Sequence, residues 1–144
     1  LVKGGERVLD IGTGSGILAI AALKLGAAKA EGVDIDPMCV RTAGEKAALN
    51  GVQNDLTVLV GDLSEKATGV YDVICANIVA NAIIHLVPNV PALLAKHGTF
   101  LASGIIDTRK DEVIAAVQAA GLALREVKEK NGWVALVCGH TGRE

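Results

Sequence analysis

The sequence predicts an α/β fold in which a seven-stranded, mostly parallel sheet ends in a reversed C-terminal hairpin. Three observations predict it. Strand-like and helix-like segments alternate from end to end of the 144 residues. Three alternating glycines, Gly12, Gly14 and Gly16, join the first strand-like run to the first helix-like stretch. Asn131-Gly132, a hairpin turn signal, separates the last two strand-like runs.

Each predicted element has a start or stop signal. Gly26, Gly51 and Gly121 end three of the helices, because glycine readily adopts the left-handed conformation at a helix C-terminus. Asp36 and Pro37 begin the second helix as N-cap and first helical residue. The predicted elements are strand 7–11, helix 17–25, strand 30–33, helix 37–49, strands 57–60 and 73–76, helix 80–95, strand 99–103, helix 109–120 and hairpin strands 122–128 and 134–138.

Length and composition indicate one globular domain over residues 1–144, because 51% of the residues are hydrophobic. No apolar run reaches the roughly 18 residues of a membrane span, and no signal peptide opens the chain. The net charge is −2, and Tyr71, Phe100 and Trp133 are the only aromatic residues. We therefore expect a cytoplasmic protein that binds neither a membrane nor nucleic acid directly.

The cysteines and histidines do not predict a metal site. Cys39, Cys75 and Cys138 are odd in number and far apart, which favours buried thiols in a reducing cytosol over zinc or disulfides. The histidines are scattered in the same way: His85, His97 and His140.

The glycine turn predicts a cofactor site and indicates its class. A dinucleotide fingerprint needs G-x-G-x-x-G, but here Ile17 stands where its third glycine would be, which disfavours a nicotinamide dehydrogenase. The shorter G-x-G-x-G turn resembles motif I of the S-adenosylmethionine-dependent class I methyltransferases, which have a Rossmann-like fold. Gly12, Thr13 and Gly14 then form the close approach to the cofactor. Asp10 can pair with the cofactor ammonium directly or through water. Alternatively, it can hold the glycine turn in place.

Acidic residues follow the next two strands, and a ligand of an open α/β sheet binds at these carboxyl ends. Asp34 can accept two hydrogen bonds from a ribose diol, and Ile35 can lie against an adenine face. Asp62 can accept from the adenine amino group, with Leu63 packing on the ring. An ordinary solvated loop aspartate is the alternative at position 62.

Asn77 follows the fourth strand and is the candidate catalytic residue. The segment Asn77-Ile78-Val79-Ala80 lacks the prolines and the aromatic residue of the N-P-P-Y motif, which grips flat substrate groups. The side-chain carbonyl of Asn77 can instead accept a hydrogen bond from a substrate amine and so orient the lone pair of the amine nitrogen. The alternative is that Asn77 caps the following helix.

The whole chain resembles the catalytic domain of the PrmA family of ribosomal protein methyltransferases, which modify large-subunit protein eleven. The matching stretches are VLDIGTGSGILAIAALKLGA, GVDIDPMCV, ALNGV, ANIVAN, ASGII and NGWVALV. The resemblance implies S-adenosylmethionine as cofactor and Gly12, Asp34 and Asn77 as residues around it. It also implies a ribosomal protein substrate, methylated on lysine ε-amines and an N-terminal α-amine.

The chain departs from the family pattern at its start. These 144 residues contain neither the family's N-terminal substrate-recognition domain nor its F-G-T-G-x-H-P-T-T segment. Because residue 1 is Leu and a strand follows almost at once, we expect either a piece of a longer protein or a chain whose leading segment was removed. Two alternatives stay open: a class I methyltransferase of a small molecule or RNA, and an inert cofactor-binding fragment.

Overall fold

The computed structural model describes residues 4–12, 16–34, 36–61 and 70–141. Within these ranges seven strands and five helices form. The strands are β1 Arg7–Ile11, β2 Lys29–Asp34, β3 Leu56–Val60, β4 Tyr71–Asn77, β5 Leu94–Ile106, β6 Leu122–Lys130 and β7 Trp133–His140. The helices are α1 Ile17–Lys24, α2 Met38–Leu49, α3 Ala80–Leu86, α4 Val90–Leu93 and α5 Lys110–Ala119, with 3₁₀ turns at Val87–Asn89 and Asp107–Arg109.

The strands form one sheet in the order β3-β2-β1-β4-β5-β7-β6, which confirms the predicted seven-stranded α/β fold. Neighbours from β3 to β5 run parallel, whereas β7 lies between β5 and β6 and runs antiparallel to both. Asn131 and Gly132 join β6 to β7 with φ of 55° and 83°, as a type I′ hairpin turn requires. The order reverses between β1 and β4, so a crevice opens beyond their carboxyl ends.

Alternation along the strands builds two cores, one on each face of the sheet. Leu9, Ile74 and Phe100 are fully buried on one face. On that face they belong to the same core as Ile83 of α3 and Val117 of α5. The other face carries a smaller core whose members are Val8, Ala19, Ala22, Leu23, Ala27, Ala30 and Val73. The helices therefore cover both faces, as a parallel sheet needs.

Helices α1 and α2 end as predicted. Gly26 has φ of 112° and follows α1, and the N–H of Ala27 donates to the carbonyl of Ala22 at 3.1 Å. The same pattern closes α2, where Gly51 has φ of 73° and the N–H of Val52 donates to Ala47 at 3.0 Å. Both are Schellman motifs, in which a left-handed glycine satisfies the last carbonyls of the helix.

The predicted helix over 80–95 is wrong in its second half. Helix α3 ends at Leu86, and a 3₁₀ turn and the short α4 follow. Pro88 and Pro91 explain the break, because proline lacks the N–H that a continuing helix needs. Strand β5 begins at Leu94, five residues before the predicted start. The added part pairs Leu94 with Tyr71 across a register shift.

A cluster of polar side chains ties the strands together at the amino edge of the sheet. The Arg7 guanidinium lies 2.7 Å from Glu31 Oε1 and 4.2 Å from the centre of the Tyr71 ring. The Tyr71 hydroxyl, fully buried, donates to Glu31 Oε2. The backbone N–H of Arg7 donates to Asp72 Oδ2 at 3.0 Å. This amino-edge cluster joins β1, β2 and β4 at the end opposite the crevice.

Candidate active site

Three of the sequence-predicted site residues that the structure describes lie at the carboxyl ends of the neighbouring strands β1, β2 and β4. Gly12 follows β1, whereas Asp34 and Asn77 are the last residues of β2 and β4. The N–H of Gly12 donates to the backbone carbonyl of Val33 at 2.7 Å, and the N–H of Gly61 donates to the backbone carbonyl of Asp34 at 2.9 Å. The turns after β1 and β3 are therefore both tied to the end of β2. The other predicted residues, Thr13, Gly14, Ile35, Asp62 and Leu63, lie outside the described residues.

Position 12 requires glycine for two reasons, its backbone conformation and its close contact with Ile78. Its φ is 73°, a conformation that costs a residue with a Cβ atom about 1–2 kcal/mol. A Cβ built at Gly12 would lie 2.6 Å from Cγ2 of Ile78, the residue after β4. The space left by this glycine is thus filled in part by Ile78, which packs the turn after β1 against the segment after β4.

Gly16 serves the packing of two helices. It has φ of 82° and is the N-cap residue of α1. A Cβ built there would lie 2.8 Å from the Cβ of Ala43 in α2. The third glycine of the motif therefore lets α1 begin in close contact with α2.

The carboxylate of Asp34 is held by the start of α2. Asp34 Oδ1 accepts from the N–H of Asp36 at 3.0 Å. Burial, together with the charge of Asp34 and a hydrogen bond to it, raises the pKa of the Cys39 thiol. Asp36 Oδ1 accepts from the N–H of Met38 at 3.0 Å, and Pro37 already has helical dihedral angles. The predicted capping role of Asp36 is confirmed, and Asp34 is left as the half-buried acid at the crevice.

Asp10 occupies a different environment. Only 2% of it is exposed, and with Cys75 it lines an apolar groove beside α1. Burial raises the pKa of Cys75 to about 12, with a smaller contribution from the Asp10 charge. This thiol therefore stays protonated and a poor nucleophile at neutral pH. The burial of Asp10 also leaves its carboxylate little surface for direct contact with a ligand.

Asn77 is exposed at the end of β4 and faces a glycine of β5. A Cβ built at Gly104 would lie 2.7 Å from Asn77 Oδ1 and 3.1 Å from the carbonyl oxygen of Ile78. The φ of Gly104 is 79°, which also favours glycine. The N-cap residue of α3 is Val79, two positions beyond Asn77. Asn77 is therefore not the cap of this helix.

A cavity of about 240 Å³ opens next to Asn77. Its walls come from the start of α3, the end of β5 and the start of β7. Arg109 donates to Asn81 Oδ1 at 2.6 Å and pairs with Glu112 at 2.6 Å. The N–H of Asp107 donates to the Gly132 carbonyl at 2.9 Å. These contacts tie the three walls to each other.

Sequence reasoning assigned no role to the residues of this cavity. Gly104 and Trp133 lie within ASGII and NGWVALV, two of the stretches that carried the resemblance to the PrmA family. Arg109 gave no signal, because its partner Asn81 is 28 residues away in sequence. Among the described residues, no group of three His, Cys, Asp or Glu side chains could hold a metal ion. None of the described helices combines the length and hydropathy needed to cross a bilayer.

Comparisons with known proteins point to one family. The chain matches the family described as Ribosomal protein L11 methyltransferase (PrmA) over residues 1–141. The Ribosomal protein L11 methyltransferase of Desulforamulus reducens is 44% identical over 138 residues, which are 96% of this chain and 45% of that protein. The protein of the same name from Symbiobacterium thermophilum is 47% identical over 137 residues, 95% of this chain and 44% of that protein. This chain thus spans less than half the length of these relatives.

Solved structures show the same similarity. The crystal structure of ribosomal protein L11 methylase from Lactobacillus delbrueckii subsp. bulgaricus superposes with a TM-score of 0.92 at 34% identity, covering 97% of this chain and 72% of that one. An RNA methyltransferase from Salinibacter ruber, solved with S-adenosyl-L-homocysteine, gives a TM-score of 0.75 at 20% identity over 94% of this chain and 81% of that one, and shows the shared class I fold alone. With the family match covering residues 1–141, the chain belongs to the ribosomal protein L11 methyltransferase (PrmA) family.

Proposed function

We propose that this chain is the S-adenosylmethionine-binding, methyl-transferring part of a protein N-methyltransferase whose substrate is a ribosomal protein. The observation that carries the proposal is the convergence of Gly12, Asp34 and Asn77 at one edge of the sheet, beside the point where the strand order reverses. Family membership supports the reaction class. Because the chain covers only 44–45% of its relatives, the activity and substrate of the whole protein are part of the proposal.

The described residues fit the cofactor. Asp34 provides a fixed carboxylate for a ribose diol, because Asp36 already orients one of its oxygens. The turn at Gly12 packs on Ile78 and so lies against the segment that carries Asn77. When bound, S-adenosylmethionine would supply an electrophilic methyl group to the lone pair of a neutral amine, and its sulfur would keep the electron pair of the broken C–S bond.

The remaining predicted contacts belong to the same proposal. Thr13 and Gly14 continue the turn around the cofactor. Ile35 and Leu63 pack on the adenine, and Asp62 accepts from its amino group. Because Asp10 is buried, we favour a role in which it holds the glycine turn in place over one in which it contacts the cofactor ammonium directly.

Asn77 orients the substrate amine in this proposal. It is exposed and is the last residue of β4, so pairing within the sheet holds its backbone in place. Its carbonyl oxygen lies beside Gly104 and can accept an N–H of an amine, which turns the nitrogen lone pair away from that oxygen. The proposal includes a cytosolic location, because ribosomal proteins are made in the cytosol. It needs neither nucleic acid nor a membrane as a partner.

The proposal is tested by incubating the chain with isotope-labelled S-adenosylmethionine and either purified ribosomal protein L11 or bulk RNA. We expect label in the protein, on amino groups identified by mass spectrometry. Label in RNA alone would favour the RNA methyltransferase alternative. Calorimetric binding of S-adenosylhomocysteine without transfer to any acceptor would favour the inert cofactor-binding fragment.

A further inference from the structure

Three segments of the candidate site meet at Ile78, the residue after β4. Its Cγ2 methyl group lies 2.6 Å from the position that a Cβ of Gly12 would occupy, so the side chain packs on the glycine turn after β1. Its backbone N and O lie 3.3 Å and 3.1 Å from a Cβ built at Gly104 of β5. The same Cβ would lie 2.7 Å from Asn77 Oδ1. Ile78 therefore joins the turn to the segment that carries Asn77.

Both contacts use space that exists only because a glycine has no Cβ. The 2.6 Å between Ile78 Cγ2 and a Cβ at position 12 is far below the roughly 3.5 Å at which nonbonded carbon atoms attract each other best. Ile78 thus already fills the volume that a side chain at position 12 would need. Because closely packed groups transmit a displacement, a movement of Gly12 toward Ile78 is passed on to the end of β4.

The group that contacts Gly12 is the β-branch methyl of isoleucine. Cγ2 is bonded directly to Cβ, and χ1 of a β-branched side chain is restricted, so this methyl group has a fixed place relative to the backbone of residue 78. The methyl groups of leucine lie one bond further out and also rotate about χ2. A β-branched residue at position 78 therefore links the turn to the backbone after β4 more rigidly than leucine would.

The alternative is that Ile78 serves only the core, because it is half-buried and packs against the larger of the two cores. The two roles rank substitutions in opposite orders. Core packing depends on buried volume, which Ile78→Leu keeps and Ile78→Val reduces by one carbon. Contact with Gly12 depends on Cγ2, which Ile78→Val keeps and Ile78→Leu removes.

We propose that Ile78 is a positioning residue, which couples the glycine turn to Asn77 through its Cγ2 methyl group. This role rests on the proposed function, in which the turn contacts the cofactor and Asn77 orients the amine. A turn that is seated against the cofactor then also sets the place of the Asn77 amide, so the two reactants are aligned together. The coupling is reciprocal, and a displaced Ile78 lowers the affinity for the cofactor as well.

The first experiment measures the coupling without ligand or acceptor. Proton–nitrogen correlation NMR of the whole chain follows the side-chain amide resonance of Asn77, identified by its loss in Asn77→Ala. Gly12→Ala adds the Cβ that meets Ile78 and should shift this resonance. Gly51→Ala is the matched control, since its φ is also 73° and no described atom lies within 4 Å of its Cβ, so it should cause no shift.

The same measurement in the Ile78→Ala background shows whether Cγ2 carries the effect. With this methyl group removed, Gly12→Ala should no longer shift the Asn77 resonance. Shifts of equal size with and without the Ile78 side chain would overturn the coupling, and so would the absence of a shift in Gly12→Ala.

The second experiment compares Ile78→Leu with Ile78→Val and does not depend on the folding of a Gly12 variant. Calorimetry with S-adenosylhomocysteine should give a Kd about tenfold higher for Ile78→Leu, within the usual range of a coupling between sites. Ile78→Val should bind within about twofold of the unchanged chain, although its midpoint of urea denaturation falls more than that of Ile78→Leu. Affinity that is lost more in Ile78→Val than in Ile78→Leu would reduce Ile78 to a core residue.

The transfer assay separates this inference from the proposed function. With saturating S-adenosylmethionine and ribosomal protein L11 as acceptor, Ile78→Leu should lower kcat about tenfold and leave KM for the acceptor within about twofold, because alignment is lost and acceptor binding is not. Ile78→Val should restore kcat. If the unchanged chain transfers no methyl group, the proposed function fails, and the NMR measurement still decides the coupling. Equal kcat in Ile78→Leu and the unchanged chain would overturn the positioning role alone.

Discussion

The two edges of the sheet hold their polar groups in different ways. At the amino edge, Arg7, Glu31 and Tyr71 satisfy one another, so charge and hydroxyl are used within the protein. At the carboxyl edge, Asp34 and Asn77 stand at strand ends, positioned by a backbone N–H and by contact with a glycine. The first arrangement holds strands together. The second holds side chains in place while leaving them surface for a ligand, which is what a binding edge needs.

The largest expected effect comes from Gly12→Val. The new Cβ meets Ile78 at 2.6 Å and forces a β-branched residue into φ of 73°. We expect loss of S-adenosylhomocysteine binding by calorimetry and a stability loss of about 2–5 kcal/mol by urea denaturation, the sum of the backbone and overpacking costs.

Gly51→Val is the matched control for this substitution. Gly51 has the same φ of 73°, but no described atom lies within 4 Å of a Cβ built there. It should lose only the backbone part, about 1–2 kcal/mol, and keep its affinity for the ligand. Equal stability losses in the two variants would contradict the importance of the Ile78 contact.

The second effect concerns turnover. Asn77→Ala should lower kcat about 100-fold, because a misplaced acceptor loses alignment. Stability should change by less than about 0.5 kcal/mol, since Asn77 is exposed and does not cap α3. Thermal unfolding and saturating turnover are measured on one sample, with Asn54→Ala as an exposed control. A stability loss near 1 kcal/mol with intact turnover would restore the capping role.

Sequence patterns predicted the parts of this comparison that depend on local chemistry. Asn131-Gly132 specified its turn through positive φ, and the acids after the strands were expected together because parallel strands end at one edge. The contact of Gly12 with Ile78 and that of Gly104 with Asn77 join distant segments, and no pattern in either segment encodes them. Pro88 and Pro91 end the helix that the apolar pattern predicted over 80–95.

The third prediction is that Asp34→Ala weakens cofactor binding by about 1.5–3 kcal/mol, the usual contribution of hydrogen bonds to a charged group. The fold should persist because the residue ends a strand and is half-buried. Calorimetry with S-adenosylhomocysteine measures the change, and Asp111→Asn provides an exposed acid on α5 as control. An unaltered affinity would remove Asp34 from the site.

A substitution at the amino edge should lower the stability of the fold and leave cofactor affinity unchanged. Glu31→Gln removes the charge that Arg7 and the buried Tyr71 hydroxyl share, at a site where the acid is 17% exposed. We expect a stability loss of about 2 kcal/mol with cofactor affinity unchanged. Asp55→Asn breaks the more exposed pair with Lys29 and should lose no more than about 0.5 kcal/mol. A change in affinity in Glu31→Gln would show that the two edges are coupled.

The smallest effect concerns the ion pair of Arg109 and Glu112, beside the cavity lined by Val79 and Trp133. The hydrogen bond from Arg109 lowers the pKa of the exposed Glu112 below its ordinary value of 4.5. A lowered carboxyl pKa means that the pair stabilises the fold above pH 4.5 and that this contribution is lost as the pH falls through the folded pKa. The stability difference between the unchanged chain and Glu112→Gln, measured by urea denaturation, should therefore be fully present at pH 6 and shrink as the pH falls below 4.5. A difference of the same size at pH 6 and at pH 3 would mean that Glu112 acts through packing, not charge.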